Sequence, residues 1–220
     1  MDRDLVFKEL AIVLAVESQE SRAITPDFLA QSGISRKGWE LATKPLLSDR
    51  GALIRYKNGF AIASSPKQFQ IVQPFDGTPV NVLAPKMALR YCEILSGVDY
   101  RAVGVNFRSF LSFSGQEEAA RQYILGLLNS NRLSTKPYQA SLNLSYAFER
   151  NTLNLTIQDA VVTEPDGTAV PGIVFTGNCE TRFQPESGQP PIDLLHQALN
   201  AWETDFAKYT TLVTEIIRNP

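Results

Sequence analysis

The sequence predicts an α+β fold in which one or more antiparallel sheets have helices packed on one face. Short segments with alternating apolar and polar residues recur along the chain, as is typical of half-buried antiparallel strands. Amphipathic segments with a 3.6-residue period lie between and after them. Hydrophobic residues make up 44% of the 220 residues and charged residues 20%. Such a chain can bury a sizeable core.

The N-terminal half begins with residues 5–17, which are rich in Val, Ile and Leu and predict a buried strand that is apolar on both faces. A Thr-Pro pair then supplies an N-cap and a proline in the first helical turn, which predicts a short helix over 26–32. Several short β segments follow within 46–74, including an Asn-Gly hairpin at 56–60. An amphipathic helix over 84–95 ends this half.

The C-terminal half repeats the same order of elements. The segments are a strand at 99–113, a helix at 115–128, strands at 138–149, 153–158 and 170–183, and a helix at 191–217. The alternation is most regular in the strands from 138 onward. It predicts that their apolar and polar side chains lie on opposite faces of one antiparallel layer.

Residues 1–97 and 98–220 therefore share one order: strand, helix, β-meander, long helix. We interpret them as two halves of one compact unit. The order suggests a duplicated β-α-β-β-β-α unit with its helices on one face of the sheet. It is similar to the topology of the TATA-binding-protein-like fold. This is an analogy of topology only, and a fold does not decide a function.

Five segments spread over most of the chain carry a family resemblance. They are Leu10–Ser18, Thr25–Gly33, Trp39–Ala42, Val103–Arg108 and Ala119–Ile124. In these segments the chain resembles members of an uncharacterised cyanobacterial protein family of unknown function. None of the segments is a catalytic signature, so the resemblance implies no activity, cofactor or partner.

Charge and composition make several kinds of site unlikely. The formal net charge is −2, which disfavours nucleic-acid and anionic-lipid partners because both need clustered cations. Two cysteines and one histidine are too few and too scattered for a zinc site or a disulfide framework. No motif for a cofactor is present. The apolar run near the N-terminus is too short to span a bilayer and lacks a basic flank, so we expect a cytoplasmic protein without a membrane span.

The polar side of the predicted C-terminal sheet is the most informative surface. Its candidate binding residues are Asn106, Arg108, Ser141, Asn143, Ser145, Asn154, Thr156, Gln158, Thr176 and Asn178. Most of these side chains are short and uncharged. They offer hydrogen-bond donors and acceptors and lose little entropy when immobilised, which favours a binding face. The alternative interpretation is an ordinary solvated face of an antiparallel sheet.

Three residues are candidates for catalysis. His196 follows Asp193 by three residues on the final helix, where a carboxylate could orient the imidazole. Cys92 and Cys179 are predicted to lie on apolar faces, where cysteine usually behaves as a small hydrophobe. No nucleophile elbow or other catalytic motif accompanies them, so an enzyme is the less favoured class.

We therefore expect a non-catalytic interaction protein, such as an adaptor, an assembly factor or a regulatory factor. Its polar sheet face would bind another protein or a second copy of the chain. One alternative is a nucleic-acid-binding protein with a saddle-shaped sheet. The other is an enzyme that acts on a small polar ligand held between helix and sheet.

Overall fold

The computed structural model of the chain describes residues 5–113, 117–127, 139–163, 167–183 and 191–218. These residues form one sheet of nine strands in which all neighbouring strands pair antiparallel. Five α-helices accompany the sheet. The predicted α+β class with an antiparallel sheet is confirmed.

The elements lie close to the positions that their sequence patterns predict. The strands are β1 (Leu5–Val16), β2 (Leu46–Ser48), β3 (Gly51–Arg55), β4 (Ala61–Ser65), β5 (Gln68–Pro74), β6 (Tyr100–Ser112), β7 (Ser141–Ala147), β8 (Thr152–Thr163) and β9 (Ala169–Arg182). The helices are α1 (Pro26–Gln31), α2 (Ala84–Ile94), α3 (Glu117–Leu127), α4 (Pro191–Asn200) and α5 (Trp202–Arg218). A single 3-10 turn, Ser21–Ala23, precedes α1.

Both halves of the chain contribute to the one sheet, whose strand order is β2-β3-β4-β5-β1-β6-β9-β8-β7. Strands β1 and β6, the first strand of each half, pair at the centre. Each of them also pairs with the last strand of its own half, β5 or β9. A duplicated unit would give this arrangement, although β2 and α5 have no counterpart among the described residues of the other half. The duplication itself stays a prediction.

One face of the sheet carries the helices and the hydrophobic core. Every described α-helix supplies buried side chains to this core: Leu29 from α1, Tyr91 from α2, Ile124 from α3, Leu195 from α4 and Tyr209 from α5. They pack on alternate residues of the central strands, such as Leu10, Ile12 and Leu14 of β1. We call this side the helix face and the opposite side the open face.

Local sequence signals explain two of the element boundaries. The Thr25 hydroxyl accepts a hydrogen bond from the Phe28 N–H at 3.1 Å, which caps α1 as the Thr-Pro pair predicts. The Asn-Gly hairpin forms between β3 and β4, where Gly59 has a φ of 86°. Glycine adopts this left-handed conformation without steric cost, so the turn can be tight.

One expectation needs correction. The predicted single helix over 191–217 is two helices that meet at Ala201, where α4 ends and α5 begins. Tyr138 of the predicted strand at 138–149, and residues 115, 116 and 128 of the predicted helix at 115–128, lie outside the described residues. None of the described helices is long and apolar enough to cross a membrane.

Gly177 of β9 lets α5 approach the sheet closely. The Tyr209 ring lies where a Cβ at position 177 would be, and the Tyr209 hydroxyl donates to the Phe175 carbonyl at 3.0 Å. Gly177→Ala should therefore force α5 away and lower the free energy of unfolding by about 1–3 kcal/mol.

Urea denaturation of the two proteins measures this loss. Gly126→Ala is the matched control, because nothing lies within 4 Å of a Cβ at that exposed position of α3. It should instead stabilise the protein by about 0.5–1 kcal/mol through helix propensity. Equal effects of the two substitutions would contradict the packing described here.

Candidate functional site

The ten predicted binding residues all project from the open face. The register of the strands places them in cross-strand rows: Ser145, Asn154, Asn178 and Asn106; Asn143, Thr156, Thr176 and Arg108; and Ser141 and Gln158. The apolar residues between them, such as Leu155 and Phe175, are buried on the helix face. The predicted sorting of side chains onto opposite faces is confirmed. We call these ten residues the polar zone.

Hydrogen bonds between neighbouring strands fix several side chains of the polar zone. Thr156 Oγ1 donates to Asn143 Oδ1 at 2.7 Å, and Ser145 Oγ donates to Asn154 Oδ1 at 2.8 Å. Both pairs join β7 to β8. The bonded side chains are held in defined rotamers, so a ligand that binds them loses less conformational entropy.

An asparagine pair lies near the middle of the sheet. Asn178 Nδ2 donates to Asn106 Oδ1 at 2.6 Å, and Asn106 Nδ2 donates to the Ala11 carbonyl at 3.2 Å. A Cβ at Gly104 would be only 3.1 Å from Asn178 Nδ2. Because Gly104 has no side chain, the Asn106–Asn178 pair can occupy the space above it.

The charged groups of the open face are largely neutralised within the chain. Arg108 forms an ion pair with Glu9 at 3.4 Å, and Arg182 forms one with Glu180 at 2.8 Å. Arg55 lies at the far side of the face on β3, where it pairs in register with Ala61. Because the guanidiniums of Arg108 and Arg182 already have carboxylate partners, the face offers less free positive charge to a phosphate backbone.

A second surface, which sequence reasoning missed, lies beside the polar zone. Six small apolar side chains project from the same face: Ala11, Val13, Ala15, Ala61, Ala63 and Val72. We call them the apolar zone. Gln70 lies between Val13 and Ala63, and none of the seven side chains is charged. The signal was present in the sequence, because residues 10–16 are apolar at both odd and even positions.

Phe110 lies on the open face near the end of β6. Its ring lies against Gly172 of β9, where a Cβ would clash with it. The pairing partners of Phe110 are Val6 and Val174, and the ring is buried. The missing side chain at Gly172 therefore leaves space for the Phe110 ring against β9.

His196, the catalytic candidate, is not part of this surface. It lies half-buried on α4, and α4 packs on the helix face. The sheet therefore separates the imidazole from the polar zone. Among the described residues, no cluster of three or more His, Cys, Asp and Glu side chains could hold a metal ion.

A cavity of about 220 Å³ lies between the β7–β8 turn, β9 and the helices α4 and α5. Its walls include Arg150, Asn151, Gln197 and Asp205, and His196 is not among its described lining residues. Asp205 is buried and accepts hydrogen bonds from Asn151 Nδ2 at 3.0 Å and from the Arg150 guanidinium at 3.3 Å. These bonds fasten the start of α5 to the turn between β7 and β8.

Both cysteines are free and buried in the core. Burial raises the pKa of the Cys92 thiol to about 12, and it raises the pKa of the Cys179 thiol to about 12 as well. A nucleophilic cysteine needs the opposite shift, since the thiolate is the reactive form. The geometry assigns both residues to packing.

Comparison with known proteins identifies no relative: no protein-family model matches the chain, and no curated protein matches it. The resemblance to a cyanobacterial family stays a prediction. What the chain does must be inferred from its own geometry.

The state of the thiols can be tested by chemical modification. We expect Cys92 and Cys179 to react with a disulfide reagent such as Ellman's reagent only at the rate of unfolding, because both are buried and protonated at neutral pH. In denaturant both should react at once. Rapid modification of one thiol in the folded protein would show that its surroundings are not those described.

The same shifts predict a dependence of stability on pH. In the unfolded chain the thiols ionise near their ordinary pKa of 9.0, whereas the folded thiols stay protonated until about 12. Above pH 9 the unfolded state therefore binds fewer protons, and the free energy of unfolding falls by at most about 1.4 kcal/mol per pH unit for each thiol.

Denaturant unfolding at several pH values between pH 8 and pH 10 measures this slope. The range extends about one unit on either side of the ordinary thiol pKa. Cys179→Ala is the comparison. The variant is less stable at every pH but should lose stability less steeply. An identical slope would contradict the raised pKa of Cys179.

Proposed function

We propose that the chain is a non-catalytic interaction protein, an adaptor, assembly factor or regulatory factor, that holds a protein partner on its open face. One observation carries the proposal: β1 is apolar on both sides, and the described helices pack on one side only. Ala11 is buried and the other five side chains of the apolar zone are half-buried, and the apolar surface that they still expose costs about 25 cal/mol per Å² relative to burial. A partner protein that docks there would remove this cost.

The composition of the open face supports a protein as the partner. The centres of protein–protein interfaces are depleted of charged residues, and donors and acceptors in them must be paired across the contact. The apolar zone supplies the uncharged part. The polar zone supplies hydroxyl and amide groups that side-chain hydrogen bonds already orient.

The ion pairs on the open face disfavour nucleic acid as the partner. Binding to a phosphate backbone releases counterions and needs unpaired Lys or Arg side chains. Arg108 and Arg182 are each paired with a carboxylate, so a bound phosphate would compete with Glu9 and Glu180.

We place the protein in the cytoplasm, since its two cysteines are unpaired and reduced thiols persist there.

Single arginines on the open face test the proposal. Thr156→Arg alters the polar zone and Ala63→Arg alters the apolar zone. Each adds a long cation that a docked protein would have to displace. The matched control is Thr211→Arg on the exposed side of α5. Affinity capture from the native host identifies the partner, and titration with that purified partner measures the dissociation constant.

We expect both open-face variants to weaken binding at least about tenfold, which corresponds to about 1.4 kcal/mol, and the control to bind as the unmodified protein does. Moderate salt should change the affinity little. Equal affinity for all three variants would contradict the proposal. Capture of a nucleic acid whose affinity falls steeply with salt would instead support the alternative of a nucleic-acid-binding protein with a saddle-shaped sheet.

A further inference from the structure

The two edges of the sheet differ in how well they are protected. Strand β2 forms one edge and has only three residues. Pro45 precedes it, and Lys44 and Arg50 lie nearby in the chain. A short strand next to proline and lysine is a common way in which proteins prevent edge-to-edge pairing.

Strand β7 forms the other edge and has none of these features. It runs for seven residues, Ser141–Ala147, and contains no charged residue, proline or glycine. Within the described residues it pairs with β8 alone. A long, uncharged and regular edge strand is a template for pairing with another strand.

The hydrogen-bond pattern shows which backbone groups of β7 face away from β8. The Phe148 N–H donates to the Asn151 carbonyl at 2.9 Å, so Phe148 and Asn151 form a hydrogen-bonded pair. Such pairs alternate along an antiparallel ladder. The backbone N–H and C=O groups of Ser141, Asn143, Ser145 and Ala147 therefore point toward the free edge, and their side chains lie on the open face.

We propose that β7 pairs antiparallel with β7 of a second copy, about a two-fold axis at Leu144. Asn143 then pairs with Ser145 of the partner subunit, and both lie on the open face. On the helix face Leu142 meets Tyr146 of the partner subunit. Polar side chains meet polar ones and apolar side chains meet apolar ones, as stable pairing requires.

The lack of charged residues on β7 favours a second copy of the chain as the source of the strand that pairs with it. A second copy presents to β7 the same side chains that β7 itself carries, so charges of one sign on the strand would repel those of the copy. The segment from Gln139 to Phe148 contains no charged residue. The paired sheets would place two polar zones side by side, independently of which partner the open face holds. Because the contact is small, the dimer should dissociate on dilution.

Two charge-bearing variants test the pairing. Asn143→Lys with Ser145→Lys, and Asn143→Glu with Ser145→Glu, place like charges opposite each other in the dimer. Both positions are exposed, so the fold should persist, as circular dichroism can verify. The matched control is Leu46→Lys with Ser48→Lys on the open face of β2.

Sedimentation equilibrium of the full chain should show a monomer–dimer equilibrium for the unmodified protein and for the control. Each β7 variant alone should raise the dimer dissociation constant at least about tenfold. An equimolar mixture of the Lys and Glu variants should form heterodimers, visible in native mass spectrometry. If either variant fails to fold, Asn143→Pro removes an N–H at the free edge; it loses the side-chain bond from Thr156 but no backbone bond to β8.

Three results would overturn the proposal. The unmodified chain could remain monomeric at every accessible concentration. The dimer could persist in both β7 variants. The Lys and Glu variants could each be monomeric and fail to associate when mixed.

Discussion

The antiparallel pairing of β1 with β6 is the constraint on which the rest of the molecule depends. These strands come from the beginnings of the two halves, and their pairing joins both halves into one sheet. Leu10 pairs with Phe107 and Ile12 with Val105, all on the helix face and all buried. A shift by one residue would turn these side chains to the open face, so the hydrophobic core fixes the register.

The same register determines the open face. It brings Ala11 opposite Asn106, and Asn106 opposite Asn178 of β9. Small side chains on β1 and the glycine at 104 leave space for the asparagine pair over the centre of the sheet. Because the described helices lie on the other face, the same pairing that builds the core also leaves a surface that is part polar and part apolar.

The groups with the most reactive chemistry lie on the helix side of the sheet and serve the fold. Tyr209 donates to a strand carbonyl, and Asp205 is bonded to the β7–β8 turn. Cys92 and Cys179 are held as thiols by burial. On the open face, the ion pairs of Arg108 and Arg182 consume most of the charge. This division agrees with a protein that acts by holding another protein.

The sequence by itself determined the elements and the face on which each C-terminal strand residue lies. Side chains alternate along a strand for local steric reasons, so the pattern at Asn143, Thr156 and Asn178 could be read without knowing the neighbours. It also determined the cap at Thr25 and the Asn-Gly hairpin, which depend on residues close in the chain.

Only the tertiary structure decided which strands are neighbours and which apolar face stays without helices. Both sides of β1 look alike in sequence, and the position of the helices selects one of them. The pairing of Arg108 with Glu9 joins residues that are 99 positions apart, and no local pattern encodes it. The break at Ala201 is likewise not visible in the local pattern, because the amphipathic sequence continues from α4 into α5.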